Sequence, residues 1–279
     1  MIRILTDSTS DLSPEQQKAL NVEVLPLKVH FGEEAFRDGM DMTNREFYAR
    51  LRTCDELPHT SQVNPDEMEN AFKPCLEAGD EVVGIFLSSK LSGTFQSALI
   101  AADSLESKAI HLVDSGTVTF GLGLLATMAA RYRDQGLSAG EIASAVEVLS
   151  GRLRLYAVVE TLKYLKKGGR ISAATAMVGG VLGVTPILNV RDGVVEAAGK
   201  SRGQKGAFQW MEKKLAAEPA DPALPVAFGH TDAPEAMAAC KAFFAERMPL
   251  PDVVEGEIGA VIGTHAGPGA TGIAYFTKA

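Results

Sequence analysis

Residues 81–98 read EVVGIFLSSKLSGTFQSA, a stretch that combines a strand signal and a helix signal. An apolar run, Val82 to Leu87, passes directly into a turn rich in hydroxyl groups, and the pattern then predicts a helix from Gly93 to Leu105. A buried strand followed by a helix is the repeating piece of a parallel sheet. Serine and threonine hydroxyls beside the unpaired N–H groups that begin a helix also suit an anion. The simpler alternative is an ordinary Ser/Thr helix cap.

Strand and helix signals alternate through the first half of the chain, which predicts parallel β-α-β connections. Ligands of such sheets bind beyond the carboxyl ends of the strands. Four polar segments follow predicted strands or lie in the intervening loop, and we expect them to surround a site: Asp7-Ser8, Thr60-Ser61, Ser88–Thr94 and Asp114-Ser115.

The pattern changes near Gly151, where hairpin signals mix with helices. Asp192-Gly193 is a strong turn signal between two predicted strands, and Val261–Thr264 is predicted as another strand. We therefore expect an α/β protein of two domains. Residues 1–150 would form an α/β domain with a parallel sheet, and residues 151–279 an α+β domain with a mixed sheet.

Composition narrows the function classes. The chain has 279 residues, of which 46% are hydrophobic, and a net charge of −8. This charge argues against a nucleic-acid partner and against an anionic membrane surface. The most apolar window, Ile171 to Val190, is interrupted by glycine, proline and asparagine, so no stable membrane insertion is expected.

The chain's compartment and metal content are predicted from its acidic start and its cysteines. Asp7 comes too early for a secretory signal. Three widely spaced cysteines, Cys54, Cys75 and Cys240, favour neither a zinc site nor a disulfide framework. We expect a cytoplasmic protein without a metal or another cofactor.

Three further motifs allow more than one interpretation. His265 lies in a loop of glycine and proline, Gly263–Ala270, which suggests a functional histidine, although a lone histidine is usually structural. Gly121, Gly123 and Ala126 resemble a dinucleotide fingerprint weakly, and close helix packing is the better interpretation. The small residues from Ala173 to Gly183 indicate either close packing or room for an apolar ligand.

Taken together, the segments resemble the DegV family, which includes the fatty-acid-binding subunits of bacterial fatty acid kinase. The resemblance spans essentially the whole chain. It rests on five ordered segments: Thr6-Asp7-Ser8-Thr9-Ser10-Asp11, Thr60-Ser61-Gln62, Leu91-Ser92-Gly93-Thr94, Leu165-Lys166-Lys167-Gly168-Gly169-Arg170-Ile171-Ser172 and Gly263-Thr264-His265-Ala266-Gly267-Pro268-Gly269. Val63 stands where the family often has proline, which should change only the stiffness of that loop.

The resemblance implies a carrier that buries one long-chain fatty acid between two domains. Thr60 and Ser92 would hold the carboxylate, with His265 nearby, and a separate kinase subunit would phosphorylate it to an acyl phosphate. The carrier itself would have no catalytic residue. The complete expected set of ligand-binding residues is Thr60, Ser61, Ser92, Gly93, Thr94, His265 and Gly267.

Two arginines beside glycine, Arg170 and Arg202, are candidates for facing the kinase, although each could be an ordinary surface arginine.

The alternative function is a hydrolase or acyltransferase with Ser92 as nucleophile and His265 as base, oriented by Asp7 or Asp114. The absence of a GxSxG segment counts against it. A nucleotide-binding regulator is a weaker possibility, since only the poor glycine fingerprint supports it.

Overall fold

The structure is a computed structural model that describes residues 1–171 and 184–278. Its strands are β1 (Ile2–Asp7), β2 (Val22–Leu25), β3 (Lys28–Phe31), β4 (Glu34–Arg37), β5 (His59–Ser61), β6 (Glu81–Phe86), β7 (Ile110–Asp114), β8 (Leu153–Val158), β9 (Thr185–Arg191), β10 (Val194–Ser201), β11 (Val226–His230), β12 (Val253–Glu257) and β13 (Thr271–Phe276). Its helices are α1 (Pro14–Leu20), α2 (Asn44–Thr53), α3 (Pro65–Glu77), α4 (Thr94–Ser104), α5 (Phe120–Asp134), α6 (Ala139–Arg152), α7 (Lys163–Gly168), α8 (Gly203–Ala217), α9 (Pro234–Ala245) and α10 (Ala260–Ala266). A 3₁₀ turn, Ser8–Ser10, follows β1.

The first sheet is parallel, in the order β2-β1-β6-β7. Strand β6 is buried along nearly its whole length, as expected for a parallel strand covered on both faces. Because β1 and β6 are neighbours, their carboxyl ends meet, and the Asp7 carboxylate accepts a hydrogen bond of 2.8 Å from the Leu87 N–H. The polar ends of these strands therefore lie at one edge, where a ligand site is expected.

The second sheet is mixed, in the order β10-β9-β8-β13-β11-β12. All neighbours are antiparallel except β11 and β12. Strands β9 and β10 form the predicted hairpin around Asp192-Gly193, and both turn residues have positive φ, +50° and +80°. The expected fold class, α/β with a parallel sheet followed by a mixed sheet, is confirmed.

Helix α5 joins the two sheets through one apolar core. It contacts β1 and β6 of the parallel sheet and β8, β11 and β13 of the mixed sheet. Gly121 and Gly123 lie in this helix, and a Cβ at Gly123 would be 2.6 Å from the Ser10 carbonyl oxygen. The weak dinucleotide fingerprint thus lies in a closely packed helix.

A small antiparallel sheet has the strand order β4-β3-β5. The segment Val22–Phe31 divides into β2 and β3 on either side of Pro26, since proline lacks the N–H that a ladder requires. Residues 58–62 were expected to form a loop, yet β5 pairs with β3, with Thr60 opposite Val29.

The predicted strand Val261–Thr264 is wrong, because these residues lie within helix α10. A short apolar run does not distinguish a strand from a helix by periodicity. The groups that accept hydrogen bonds from the first N–H groups of α10 are Asp11 and Asp38, which are far away in the chain. The local sequence therefore holds little information about this helix.

The chain leaves α6 at Arg152 and enters the mixed sheet at Leu153. The division into residues 1–150 and 151–279 stays a prediction. Helix α10, from the late part of the chain, packs on α2 and β3 of the early part. The small-residue segment from Ala173 to Gly183 lies outside the described residues. Among the helices of residues 1–171 and 184–278, none combines the length and the apolar character that crossing a membrane requires.

Candidate functional site

A cavity of about 360 Å³ lies where the carboxyl edge of the parallel sheet meets the mixed sheet. Its polar lining is concentrated in a few side chains: Thr60, Ser61, Gln62, Ser92, Thr119, Arg170, His265 and Thr271. The remaining lining is apolar apart from two glycines, Gly93 and Gly272. The apolar residues are Leu27, Leu87, Leu91, Val118, Phe120, Leu155, Ala157, Val159, Leu165, Leu188, Val190, Val195, Ile258, Val261, Ile262, Ala266 and Ala270.

Thr60 and His265 form the centre of the polar end. Thr60 is held in β5, and His265 lies in the last turn of α10. The Thr60 Oγ1 and His265 Nε2 atoms are 2.9 Å apart, a hydrogen bond between residues 205 positions apart in the chain. The imidazole also packs closely against the end of α7, where a Cβ at Gly168 would be 2.3 Å from His265 Nδ1. A glycine at this position therefore leaves room for the ring.

Burial keeps the imidazole neutral. The pKa of His265 is lowered from 6.5 to about 4, first by removal from water and then by the positive charge of Arg170. The His265 Nδ1 atom is buried without a hydrogen-bond partner among the described residues. A neutral ring donates from one nitrogen only, so the protonated nitrogen determines what Thr60 can offer a ligand.

Ser92 lies in the turn between β6 and α4. Its hydroxyl is 3.0 Å from Thr94 Oγ1 and accepts a bond of 3.3 Å from the Thr94 N–H. The turn is anchored at its start by Asp7 and at Ser88, whose hydroxyl donates to the Gly193 carbonyl at 2.7 Å. Strand β6, its anchored end and α4 together fix the position of the Ser92 hydroxyl at the cavity.

Gln62 and Gly93 connect the two polar segments. A Cβ at Gly93 would be 2.1 Å from Gln62 Oε1, so the side chain of Gln62 lies directly over this glycine. The Gln62 amide donates to Ser97 Oγ at 2.9 Å, which fixes the amide against α4. Through this contact the end of β5 and the Ser92 turn form one wall of the cavity.

Only some of the predicted site residues line the cavity. Thr60, Ser61, Ser92, Gly93, His265 and Arg170 line the cavity, whereas Thr94, Gly267 and Arg202 do not. Thr94 is fully buried beside Ser92. Gly267 ends α10 with a φ of +73°, and a Cβ there would be 2.2 Å from the Tyr164 ring, so its contact is one of packing.

The two arginines differ in their surroundings. Arg170 is exposed, and its guanidinium donates to the Gly168 carbonyl at 2.7 Å and to the Leu91 carbonyl at 3.3 Å. It therefore lies at the rim of the polar end. Arg202 is exposed just before α8.

The hydrolase alternative lacks the geometry of an activated serine. His265 bonds to Thr60, while Ser92 bonds within its own turn. The Asp7 carboxylate accepts from Thr9 and Leu87, and Asp114 accepts from Ser89 and Gly116, so both candidate orienting acids bond elsewhere. A catalytic triad requires these groups in contact with one another.

Sequence reasoning missed several cavity residues. Gln62 belongs to the Thr60-Ser61-Gln62 segment but received no role of its own. Thr119 and Phe120 follow β7 at the carboxyl edge of the sheet, and the rule for ligand position in parallel sheets could have pointed to them. Ile258 lines the cavity from just before α10, and Val261 and Ile262 line it from within α10, where Val261–Thr264 had been predicted as a strand.

Comparison with known proteins identifies the family of this chain, first from its sequence and then from its structure. Residues 1–278 match the family model described as "Uncharacterised protein, DegV family COG1307". A DegV domain-containing protein of Caldanaerobacter subterraneus subsp. tengcongensis is 37% identical over 278 residues, 99% of each chain.

Two solved structures are similar over nearly their full length. A DegV family protein from Thermus thermophilus, described by its fatty acid binding, has a TM-score of 0.91 at 33% identity, with 99% of each chain covered. A stearic acid-binding protein from Eubacterium ventriosum has a TM-score of 0.89 at 29% identity, covering 100% of this chain and 99% of the other. A family match over the whole described length, together with these similarities, leads to one conclusion: the chain belongs to the DegV family.

Proposed function

We propose that this protein binds a long-chain fatty acid in the cavity and holds its carboxylate at Thr60 and Ser92, with His265 nearby. The observation that carries the proposal is the Thr60–His265 hydrogen bond in a cavity whose lining is mostly apolar. The volume, about 360 Å³, falls in the range of roughly 300–1,000 Å³ that is usual for small-molecule sites. The fatty acid binding described for the Thermus thermophilus protein supports the same ligand class.

The apolar lining would supply most of the affinity. Burying an acyl chain is favourable by about 0.8 kcal/mol per CH₂, on the order of 10 kcal/mol for a long chain. Part of this offsets the loss of translational and internal freedom on binding. The polar end then sets the orientation of the ligand, because a buried carboxylate must be hydrogen-bonded.

The chemistry of the polar end suits a carboxylate that must remain reactive. A carboxylate only accepts hydrogen bonds, so the Thr60 hydroxyl must donate to it and must therefore accept from His265 Nε2–H. This requirement assigns the proton of the neutral imidazole to Nε2 and leaves Nδ1 unprotonated, consistent with its lack of a partner among the described residues. Hydroxyl donors hold the charge without a buried ion pair.

Removal of one hydroxyl tests the assignment. A hydrogen bond to a charged group is worth about 1.5–3 kcal/mol, so Ser92→Ala should weaken binding of a fluorescent fatty acid about ten- to a hundredfold. Ser89→Ala is the matched control, because Ser89 is in the same turn but exposed and outside the cavity lining. Equal affinities for wild type and Ser92→Ala would contradict the carboxylate site.

The proposal includes a separate kinase subunit that phosphorylates the bound carboxylate. Thr60 and Ser92 would present the carboxylate, and Arg170, at the rim of the polar end, would face the kinase. Arg202, exposed at the start of α8, is the second candidate. The protein would then be a carrier, with residues 1–150 providing most of the head-group site and residues 151–279 covering the acyl chain. A phosphate-transfer assay with and without the kinase subunit tests this part.

A further inference from the structure

Two carboxylates that the ligand site does not use meet at the start of α10. The Asp11 carboxylate accepts from the Gly259 N–H at 2.8 Å, and the Asp38 carboxylate accepts from the Ala260 N–H at 2.9 Å. The first N–H groups of a helix need acceptors from outside the helix. Gly259 has no side chain to provide one, so these distant acids cap α10 instead.

The surroundings of both acids show how firmly this end is held. Asp38 is only 6% exposed, and its carboxylate also lies within hydrogen-bond reach of Ser8. Asp11 is partly exposed as a residue, but its carboxylate is enclosed and accepts a further bond of 2.5 Å from Thr119. Nearby, the buried Tyr48 hydroxyl donates to the Ile258 carbonyl at 2.8 Å.

Holding these carboxylates away from water is unfavourable. Burial raises the pKa of Asp38 from 3.8 to about 6, and it raises the pKa of Asp11 as well. Among residues 1–171 and 184–278, neither acid has an ion-pair partner. The hydrogen bonds that these carboxylates accept at the start of α10 therefore offset part of the free-energy cost of their burial.

The opposite end of the same helix carries the ligand-site histidine. Helix α10 has seven residues, and at 1.5 Å of rise per residue it is only about 10 Å long. A helix this short moves as one piece, so a shift at Gly259 or Ala260 also moves His265. The hydrogen bond between Thr60 and His265 tolerates a displacement of only a few tenths of an ångström.

We propose that Asp11 and Asp38 are positioning residues for the carboxylate site: by fixing the start of α10, they set the His265 imidazole at hydrogen-bond distance from Thr60. This role rests on the proposed function, because it concerns the head group of the bound fatty acid. Neither acid lines the cavity, so each would act on the ligand only through the position of α10.

The experiment compares a fatty acid with the fatty alcohol of the same chain length. Asp38→Ala should weaken binding of the acid about tenfold and binding of the alcohol much less, because a small shift of α10 breaks hydrogen-bond geometry at the head group but disturbs apolar contacts only slightly. Asp38→Asn, which keeps the shape and one acceptor oxygen, should fold and should lose about threefold in affinity for the acid. Asp80→Ala is the control, because Asp80 is similarly buried, at 7% exposed, and bonds to the chain's amino group.

The outcomes separate the two proposals. Equal weakening of acid and alcohol by both Asp38 variants would show general loosening and would overturn the positioning role. Unchanged acid affinity in the two variants would overturn it as well. Wild type that binds the acid no better than the alcohol would overturn the carboxylate site itself, and with it this role. A Ser92→Ala loss without any Asp38 effect would leave the site in place and remove only the positioning role.

Discussion

At the level of single residues, the protonation of His265 determines the donor that Thr60 offers. The pKa of His265 is lowered to about 4, chiefly by burial. A histidine whose pKa falls on folding stabilises the native state fully above its unfolded pKa of about 6.5. That contribution is lost as the pH falls towards 4. Between these values the folded protein keeps the ring neutral.

Histidine NMR tests this protonation directly. In the unliganded protein, the His265 ring signals should not titrate between pH 5.5 and pH 8, and the long-range ¹H–¹⁵N pattern should show a proton on Nε2. His265→Gln removes the signals and so identifies them. A titration midpoint near 6.5, the value of a free imidazole, would contradict the effect of burial.

At the level of elements, α10 packs closely against α2 because a glycine, Gly263, lies on the face of α10 that contacts α2. A Cβ at Gly263 would be 2.6 Å from Tyr48 Oη and 2.7 Å from Phe47 Cε1, and both rings are buried. The helix therefore lies directly on α2. Any side chain at Gly263 must move either the helix or two packed rings.

Gly263→Ala should lower the free energy of unfolding by about 1–3 kcal/mol, the usual effect of overpacking a core. Urea unfolding measures the change. Gly151→Ala is the matched control, since Gly151 also lies in a helix but a Cβ there meets nothing within 4 Å. This control should be neutral, or stabilising by up to about 1 kcal/mol. A Gly263→Ala variant as stable as its control would contradict the close packing.

The contrast between α4 and α10 explains which elements the sequence predicts. The start and end of β6 and α4 were predicted within one residue, because an apolar run, a serine-rich turn and a helix follow each other locally. Helix α10 was missed, since its capping groups come from Asp11 and Asp38. His265 lines the cavity from the last turn of α10 and not from the loop of glycine and proline in which it was expected. No local pattern marks Asp38 as a partner of Ala260.

At the level of the whole molecule, the proposed phosphorylation of the bound fatty acid requires a second protein. The structure offers hydroxyls, a neutral histidine and an exposed arginine at the cavity, and the proposed carrier role leaves phosphate transfer to a partner. The carrier and its kinase would therefore act only as a pair.

Reconstitution with a kinase subunit, ATP and the loaded protein tests this statement. Acyl phosphate should form only when all three are present. Arg170→Ala and Arg202→Ala should each slow transfer about tenfold, a typical effect of losing an interface arginine. Arg202→Ala, which is outside the cavity lining, should leave fatty acid affinity unchanged. Arg45→Ala, an exposed arginine outside the cavity lining, is the control. Transfer by the protein without a kinase would refute the carrier role.

The hydrogen bond between Thr60 and His265 also has a consequence for synthesis. All four strands of the parallel sheet and the Ser92 turn are translated by residue 114, whereas α10 begins at residue 260. Strand β13, translated later still, lies inside the mixed sheet between β8 and β11. Such distant pairings form slowly and late. A ligand that needs both Thr60 and His265 therefore binds only after α10 and β13 have been translated.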